Sequence, residues 1–301
     1  MTTRLLVVGG NGFIGRHIVC HALKMGWEVS SLGLSGNCPP GARGIAADIG
    51  DAASLRKTLA DMRFDYVVNC GGYIDHAFFA SGGRRLIESH FDGVLNLVES
   101  IDRQVLKRFI NIGSSDEYGT MAAPQFEAMR EAPISPYSLA KVASTHFLQM
   151  MRRTEGLPAV TLRLFLTYGP GQDQHRFLPQ IIRGCLEGRS FPASGGEQLR
   201  DFCFIDDTVR AVFVAMQADA VDGEVINVGS GKGLSIRSMI ETVCRMVGGG
   251  TPQFGTIPYR RSENMALYAD TAKAGALLGW EPRVSLEEGL QRSIAAYREL
   301  Q

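Results

Sequence analysis

Short, compact apolar runs alternate with stretches of helical spacing through the first two-thirds of this chain. The runs at residues 4–8, 28–32, 44–47, 66–69, 107–112 and 159–164 have the length and β-rich composition of strands. Between them, residues 13–26, 51–61, 83–101 and 135–155 set apolar side chains at the spacing of one helix face. Asp51 stands where it can cap the second of these helices. Regular alternation of this kind predicts an α/β fold, a parallel sheet with helices on both faces. Beyond about residue 165 the pattern loosens, and Gly and Pro recur in YGPGQ, GRSFPASGGEQ and GGGTPQ. One further strand is expected at 224–228 and an amphipathic helix at 285–300.

Composition narrows the function classes. Of 301 residues 45% are hydrophobic, enough for a sizeable core, and 31 Lys and Arg balance 31 Asp and Glu. Zero net charge argues against nucleic acid or an anionic membrane as partner, since both select a basic excess. No apolar run reaches the roughly 18 residues a membrane span needs. The opening MTTRLLVVGGNGFIG runs from one Arg through a short apolar stretch straight into a Gly-rich turn. It reads as the first strand of a mature cytoplasmic fold rather than a signal peptide. The six cysteines are scattered with no CxxC pair, so free thiols in a reducing compartment are expected, and no metal. His17 and His21 stand four apart without the intervening Glu of HExxH and are read as ordinary helix residues.

The first candidate chemistry is Gly9, Gly12 and Gly15, a G-x-x-G-x-x-G between the first strand and the first helix. There the glycines permit a tight turn, close approach of backbone to a pyrophosphate, and close helix–sheet packing, while the helix N-terminus offers amide donors. A dinucleotide is the ligand such a turn suits. The acid that often ends the second strand and binds the adenosine ribose is missing; the sequence there is Leu32-Gly33-Leu34-Ser35. With no carboxylate to repel a 2′-phosphate, both NAD and NADP stay open, and Arg43 could fold back towards such a phosphate. Asp48 is placed either to bind the adenine amino group or to serve as a turn residue.

The second is Tyr137 and Lys141, four apart in SPYSLAK and so on one face of the 135–155 helix, with Pro136 suited to its first turn. A free phenol titrates near ~10 and is a poor acid–base group at neutral pH; an adjacent ammonium is expected to lower that value. Tyr137 could then exchange a proton with a hydroxyl or carbonyl oxygen while a cofactor moves hydride. Ser114 and Ser115 follow the fifth strand, at the edge of a doubly wound sheet that faces the cofactor crevice. A hydroxyl there can serve the same oxygen.

Together these residues resemble the extended short-chain dehydrogenase/reductase family, in its NAD-dependent epimerase/dehydratase branch that acts on nucleotide sugars. The resemblance rests on GGNGFIG, Asp48, Gly71-Gly72, GSSDEYG and SPYSLAK, then on RLFLTYGPGQ, LRDFCFIDD, INVGSG and LGWEP…LEEGL, in order along the whole chain. It implies a doubly wound Rossmann sheet with a smaller C-terminal substrate lobe. The dinucleotide-binding domain would span 1–165, with 201–230 returning to it, and 166–301 would be mostly substrate lobe. By position it implies Ser114, Tyr137 and Lys141 as catalytic residues. Gly9, Asn11, Gly12, Phe13, Ile14, Gly15, Asp48, Ile49 and Gly71 would bind NAD or NADP together with Tyr137 and Lys141. Ser115, Asp116, Arg200 and Arg260 would meet the nucleotide sugar, the two arginines at its diphosphate. The family also implies a homodimer through the helices at 83–101 and 135–155.

Dehydratases of this family follow the catalytic hydroxyl with an Asp-Glu or Ser-Glu pair. Ser115 and Asp116 stand here instead, which puts dehydration in doubt. GSSDEYG looks like the active-site turn of 4-keto reductases, so reduction of an NDP-4-keto-6-deoxyhexose is the first expectation and 4-epimerisation the second. A non-catalytic dinucleotide sensor and an oxidoreductase of a non-sugar substrate are the rival classes; Ser114, Tyr137 and Lys141 together speak against the sensor. Replacing Arg200 with Ala is expected to raise KM for a nucleotide sugar strongly, and steady-state kinetics with an unchanged KM would favour a non-sugar substrate.

Overall fold

In the computed structural model, which describes residues 2–75, 77–259 and 263–299, strands and helices follow one another as the spacing predicts. The first part contains β1 (Arg4–Val8), α1 (Phe13–Lys24), β2 (Glu28–Gly33), β3 (Arg43–Ala46), α2 (Ala52–Leu59), β4 (Tyr66–Asn69), α3 (Gly83–Ile87), α4 (Gly93–Ser100), β5 (Arg108–Ser114), α5 (Pro136–Glu155) and β6 (Ala159–Leu164). The second contains β7 (Leu166–Tyr168), α6 (Phe177–Leu186), β8 (Ser190–Ala193), β9 (Leu199–Phe204), α7 (Ile205–Gln217), β10 (Val225–Val228), β11 (Gly233–Ser235), α8 (Ile236–Val247), β12 (Thr251–Phe254), β13 (Ala266–Leu267), α9 (Ala272–Leu278) and α10 (Leu286–Arg298).

Seven strands form one parallel sheet in the order β10-β6-β5-β4-β1-β2-β3. This is a Rossmann-like α/β fold. Its inner strands are buried on both faces, and side chains alternate between two cores, as the two-residue period of a strand requires. Leu5, Val7, Val68, Ile110 and Ile112 pack on one side with Ile18 and Val19 of α1. Leu6, Val8, Val67 and Phe109 pack on the other with Leu55 of α2 and Leu97 of α4. Chain order reverses at β1, which pairs with β2 on one side and β4 on the other. A crevice opens at such a switch point, beyond the carboxyl ends of the strands.

Two local differences from the sequence reading matter. Residues 83–101 are not one α-helix: a π turn at Glu88–Asp92 separates α3 from α4 and carries His90 into the interior. The second part also holds α6 to α9 and six strands that the periodicity did not resolve. In β9 and α7 the reason is visible, since LRDFCF runs into IDDTVRAVFVAMQ with no turn residue between, Phe204 being the last of the strand and the N-cap of the helix. β9 is the hub of the smaller sheet, its first half between β11 and β13 and its second half against β7.

Buried carboxylates staple this part. Asp207 accepts the backbone N–H groups of Arg283 (3.0 Å) and Val284 (2.8 Å), and its own carbonyl accepts the Trp280 indole N–H at 3.1 Å. Asp201 accepts the N–H groups of Gly231 (2.9 Å) and Ala269 (3.1 Å). The LRDFCFIDD segment thus holds the INVGSG loop and the residues just after LGWEP by their backbones, and LGWEP itself by the Trp280 indole. Each amide that loses its buried acceptor costs about 1–3 kcal/mol.

Among the described residues no helix is long and apolar enough to cross a membrane, and no group of three His, Cys, Asp or Glu is placed to hold a metal ion. All six cysteines are free thiols. His17 contacts the Pro170 carbonyl at 2.9 Å and the His21 ring packs on Phe213. Trp280 is 1% exposed and is the largest fully buried side chain. Trp280→Ala is expected to lower unfolding stability by about 3–5 kcal/mol, read as a fall in the urea midpoint; a loss under about 1 kcal/mol would mean that the loop is not part of the packed core.

Candidate active site

β1, β4 and β5 are neighbours, so the residues that follow them share one edge of the sheet. After β1, Gly9 donates to the Leu32 carbonyl (2.8 Å) and Gly12 donates back to the Gly9 carbonyl (2.9 Å). α1 then starts with Gly12 as N-cap and no side-chain cap, which leaves its first amides available to an acceptor. At Gly15 a Cβ would come 2.2 Å from the Gly9 carbonyl oxygen, so only glycine lets the helix close on the turn. Asn11 is exposed on the turn, and Phe13 and Ile14 are half-buried behind it. This cradle fits a dinucleotide pyrophosphate.

After β4, Gly71 is set by its amide on the Asn69 side chain (3.1 Å), and Asn69 in turn donates to Asn111 of β5 (3.0 Å). Ile49 is buried beneath Gly71 and Gly93, and its carbonyl accepts from Asn96 at 2.8 Å. Asp48 is exposed and accepts the Gly50 amide at 2.8 Å, the hydrogen bond of a turn residue. At the end of β2, Leu34 is exposed. Arg43 pairs in register with Ser30 at the start of β3, so it lies three residues short of the edge that Gly33 and Ala46 reach.

After β5 the chain makes a single 3-10 turn, Ser115–Tyr118, capped by the Ser114 hydroxyl on the Asp116 amide (3.1 Å). α5 begins opposite it with Pro136 in its first turn and Ser135 as N-cap, accepting the Ser138 amide at 3.1 Å. One turn along, Lys141 is buried and donates to the Ile112 carbonyl at 2.8 Å. That bond ties α5 to the strand end and leaves the Tyr137 phenol near enough to Ser114 for the two to act on one another. Ser114, Tyr137 and Lys141 are therefore together. Cys70, between the Asn69 strand end and Gly71, is close enough to feel the Lys141 charge, and a Cβ on Gly9 would touch its carbonyl. The Ser–Tyr–Lys cluster and the Gly-rich turn thus meet at one crevice.

The electrostatics depart from the expectation that Lys141 lowers the phenol. Tyr137 is 4% exposed, and burial, reinforced by the Asp116 charge, pushes its pKa above that of a free phenol, against the Ser114 hydrogen bond and Arg176. The ammonium lies 5.9 Å from the ring centroid and gives a hydrogen bond to a backbone carbonyl instead. Burial likewise brings Lys141 down to about 8, opposed by the Glu117 charge. The phenol is held in its acid form.

Ser115 is buried in the turn, whereas Asp116 is half-buried and close enough to act on Tyr137. Arg200 lies on β9 with its guanidinium paired to Glu263 and donating to the Leu199 carbonyl (2.7 Å). Arg260 falls outside the described residues. Two residues of the site carry no signal in the sequence reading. His90, turned inward by the π turn, meets the Tyr137 ring edge-on at 4.9 Å. Its Nε2 faces the Tyr73 carbonyl at 2.7 Å and must donate, which leaves Nδ1 as a buried lone pair without a partner among the described residues. Burial, then the Lys141 charge, hold its pKa down to about 3 and keep the ring neutral. The other is Glu117, fully buried beneath Ser114.

Fold and crevice define a Rossmann-type dinucleotide-binding protein. The family model for the NAD dependent epimerase/dehydratase family matches residues 5–229. The chain belongs to that family and is an NAD-dependent enzyme of it. It is 28% identical to a dTDP-glucose 4,6-dehydratase of Xanthomonas campestris pv. campestris, over 97% of this chain and 92% of the relative. Among solved structures it is similar to UDP-glucose 4-epimerase of Thermotoga maritima with UDP-glucose, at 29% identity and a TM-score of 0.89 over 99% of both chains. UDP-glucuronic acid 4-epimerase of Bacillus cereus, in complex with UDP-glucuronic acid and NAD, is 26% identical, covering 99% of this chain and 100% of that one with a TM-score of 0.88.

Gly15→Ala forces a Cβ against the Gly9 carbonyl. It is expected to weaken NAD binding by about tenfold or more, roughly 1.4 kcal/mol, in a calorimetric titration, and an unchanged affinity would dissociate this turn from the cofactor.

Proposed function

We propose that this enzyme transfers hydride at C4 of the sugar of a nucleotide sugar, in the direction that reduces an NDP-4-keto-6-deoxyhexose. The observation that carries the reading is the pair of hydroxyls at the end of β5. Ser114 and Tyr137 lie close enough to act on one another, beside the Gly-rich turn, and burial holds the phenol above its ordinary pKa. Reduction of a carbonyl needs a proton donor of this kind. The relatives support the substrate class, since their names specify dTDP-glucose, UDP-glucose and UDP-glucuronic acid.

Gly9, Asn11, Gly12, Phe13, Ile14 and Gly15 would hold the dinucleotide phosphates, with Asp48, Ile49 and Gly71 along the adenosine and nicotinamide sides. When bound, the reduced nicotinamide supplies hydride to a carbonyl carbon. Ser114 and Tyr137 offer two O–H donors to one carbonyl oxygen and stabilise the negative charge that develops there. Tyr137 gives up the proton. Lys141, anchored on Ile112, has two further N–H donors for ribose hydroxyls and so orients the cofactor. Asp116 and Ser115 would flank the sugar, and Arg200 and Arg260 would take the diphosphate. The uncharged end of β2 at Leu32-Gly33-Leu34-Ser35 does not repel a 2′-phosphate, so NADPH is accepted alongside NADH. Dehydration is disfavoured because Ser115 has no carboxyl group to protonate a leaving hydroxyl.

The likeness to the Thermotoga 4-epimerase over 99% of both chains favours 4-epimerisation as the second reading. Both reactions use the same three side chains. A homodimer through α3–α4 and α5 fits the exposed Leu139 and Met150 on α5.

Incubation with an NDP-4-keto-6-deoxyhexose and NADPH is expected to consume the reduced cofactor stoichiometrically. Conversion of a 4-hydroxy nucleotide sugar with no net cofactor consumption would establish a redox-neutral reaction instead, epimerisation or dehydration, which the product separates. Tyr137→Phe is expected to lower kcat by about 10²–10⁴-fold with little change in cofactor affinity, and surviving activity would remove Tyr137 from its role.

A further inference from the structure

Glu117 sits in the same short turn as Ser114, yet its side chain points away from the crevice and into the protein. It is fully buried. Its carboxylate makes three hydrogen bonds to three different elements. Oε1 accepts the Ser114 backbone N–H at 2.9 Å, at the end of β5. Oε2 accepts the Thr145 hydroxyl at 2.8 Å, on α5 one turn beyond Lys141, and the Arg163 Nε–H at 2.9 Å, on β6. Gly113 provides the room, since a Cβ there would lie 2.6 Å from Oε1. A buried carboxylate is costly unless paired and hydrogen-bonded, and this one is both. The sites it joins are the ones whose relative placement the reaction depends on. The Ser114 side chain is held from the other side by the Asp116 amide, so main chain and hydroxyl are both fixed.

On the reading of Ser114, Tyr137 and Lys141 as the reacting cluster, we propose that Glu117 is a positioning residue that registers Ser114 against the helix carrying Tyr137 and Lys141. It acts through those groups and does not touch substrate. Its negative charge has a second consequence. The groups that act on the Lys141 amine are Glu117, Cys70 from the end of β4, neutral His90 from the π turn, and the Tyr137 phenol on α5 itself. Burial raises the Cys70 thiol to about 12, which leaves it uncharged. Glu117 is then the one carboxylate among them, and its charge opposes the cost of burying the ammonium. On its other side Glu117 faces Arg163, whose guanidinium also pairs with Glu131 (2.6 Å) and lies 4.7 Å over the Tyr118 ring.

The test compares Glu117→Gln, Thr145→Val and Glu131→Gln. Glu117→Gln keeps the shape and loses the charge. It is expected to lower kcat by roughly 10- to 100-fold, the scale set by a misplaced catalytic group, with KM and NAD affinity within about twofold. The alkaline limb of its pH–rate profile should move to lower pH. In the apo protein, the Lys141 side-chain titration followed by NMR of labelled lysine should move the same way; this readout does not depend on knowing the substrate. Thr145→Val cuts only the link to α5 and is expected to lower kcat severalfold without moving the pH profile. Glu131→Gln weakens the same buried ion-pair cluster away from Ser114 and should change thermal stability but not the pH profile. If Glu117→Gln loses activity only in proportion to unfolded protein, with both titrations unmoved, the role is structural and the proposal fails. If Glu117→Gln does not fold, full kcat in Thr145→Val overturns it. A Lys141 titration that shifts while no nucleotide sugar turns over would refute the proposed reaction and leave the electrostatic role of Glu117 standing.

Discussion

A buried ammonium loses several kcal/mol on leaving water and must find a partner that repays it. In this enzyme the partner of Lys141 is a backbone carbonyl, that of Ile112 near the end of β5, at 2.8 Å. The contact is central because it is made between a helix and a strand end. It fixes how far α5 reaches across the sheet, and with that the position of Tyr137 one turn earlier. Ser114, two residues beyond Ile112 on the same strand, then lies in reach of the phenol. One hydrogen bond thus ties the helix that carries two of the side chains to the strand that carries the third.

The sheet order decides what this cluster can work on. Because β1 lies beside β4 and β4 beside β5, the Gly-rich turn, Gly71 and Ser114 share one edge at the point where chain order reverses. The Asn69–Asn111 hydrogen bond locks β4 to β5 just inside that edge. The turn after β1 and the hydroxyls after β5 are thereby brought to the same crevice.

The buried acidic residues among those described, Glu117, Asp201 and Asp207, serve as fasteners. Asp201 and Asp207 are both nearly inaccessible and accept backbone amides from loops 29 to 77 residues further along the chain. Burial raises the Asp201 carboxyl above its ordinary range even with these bonds in place. Glu117 does the same work at the end of β5, where it accepts the Ser114 backbone amide. The motif LRDFCFIDD, which in sequence looks like a set of binding residues, is in good part a pair of loop anchors, with Arg200 between Glu263 and the Leu199 carbonyl.

What the sequence by itself determined was local. Strand and helix periods, the G-x-x-G-x-x-G turn and the Tyr137–Lys141 spacing all arise within a few residues, where one-dimensional pattern and three-dimensional contact coincide. From them the parallel sheet, the dinucleotide crevice and the Ser–Tyr–Lys grouping were legible. The tertiary structure decided the rest. The π turn that buries His90 leaves no mark in the helical pattern of residues 83–101, and β9 passes into α7 without a turn residue to announce the change. The direction in which the fold moves the Tyr137 pKa was not legible, because burial, a sum over the whole fold, outweighs the single ammonium four residues away. Glu117 meets Arg163 across 46 residues and Thr145 across 28, and no periodicity carries contacts of that span. Charge pairing and desolvation act through space, so only the folded chain could reveal them.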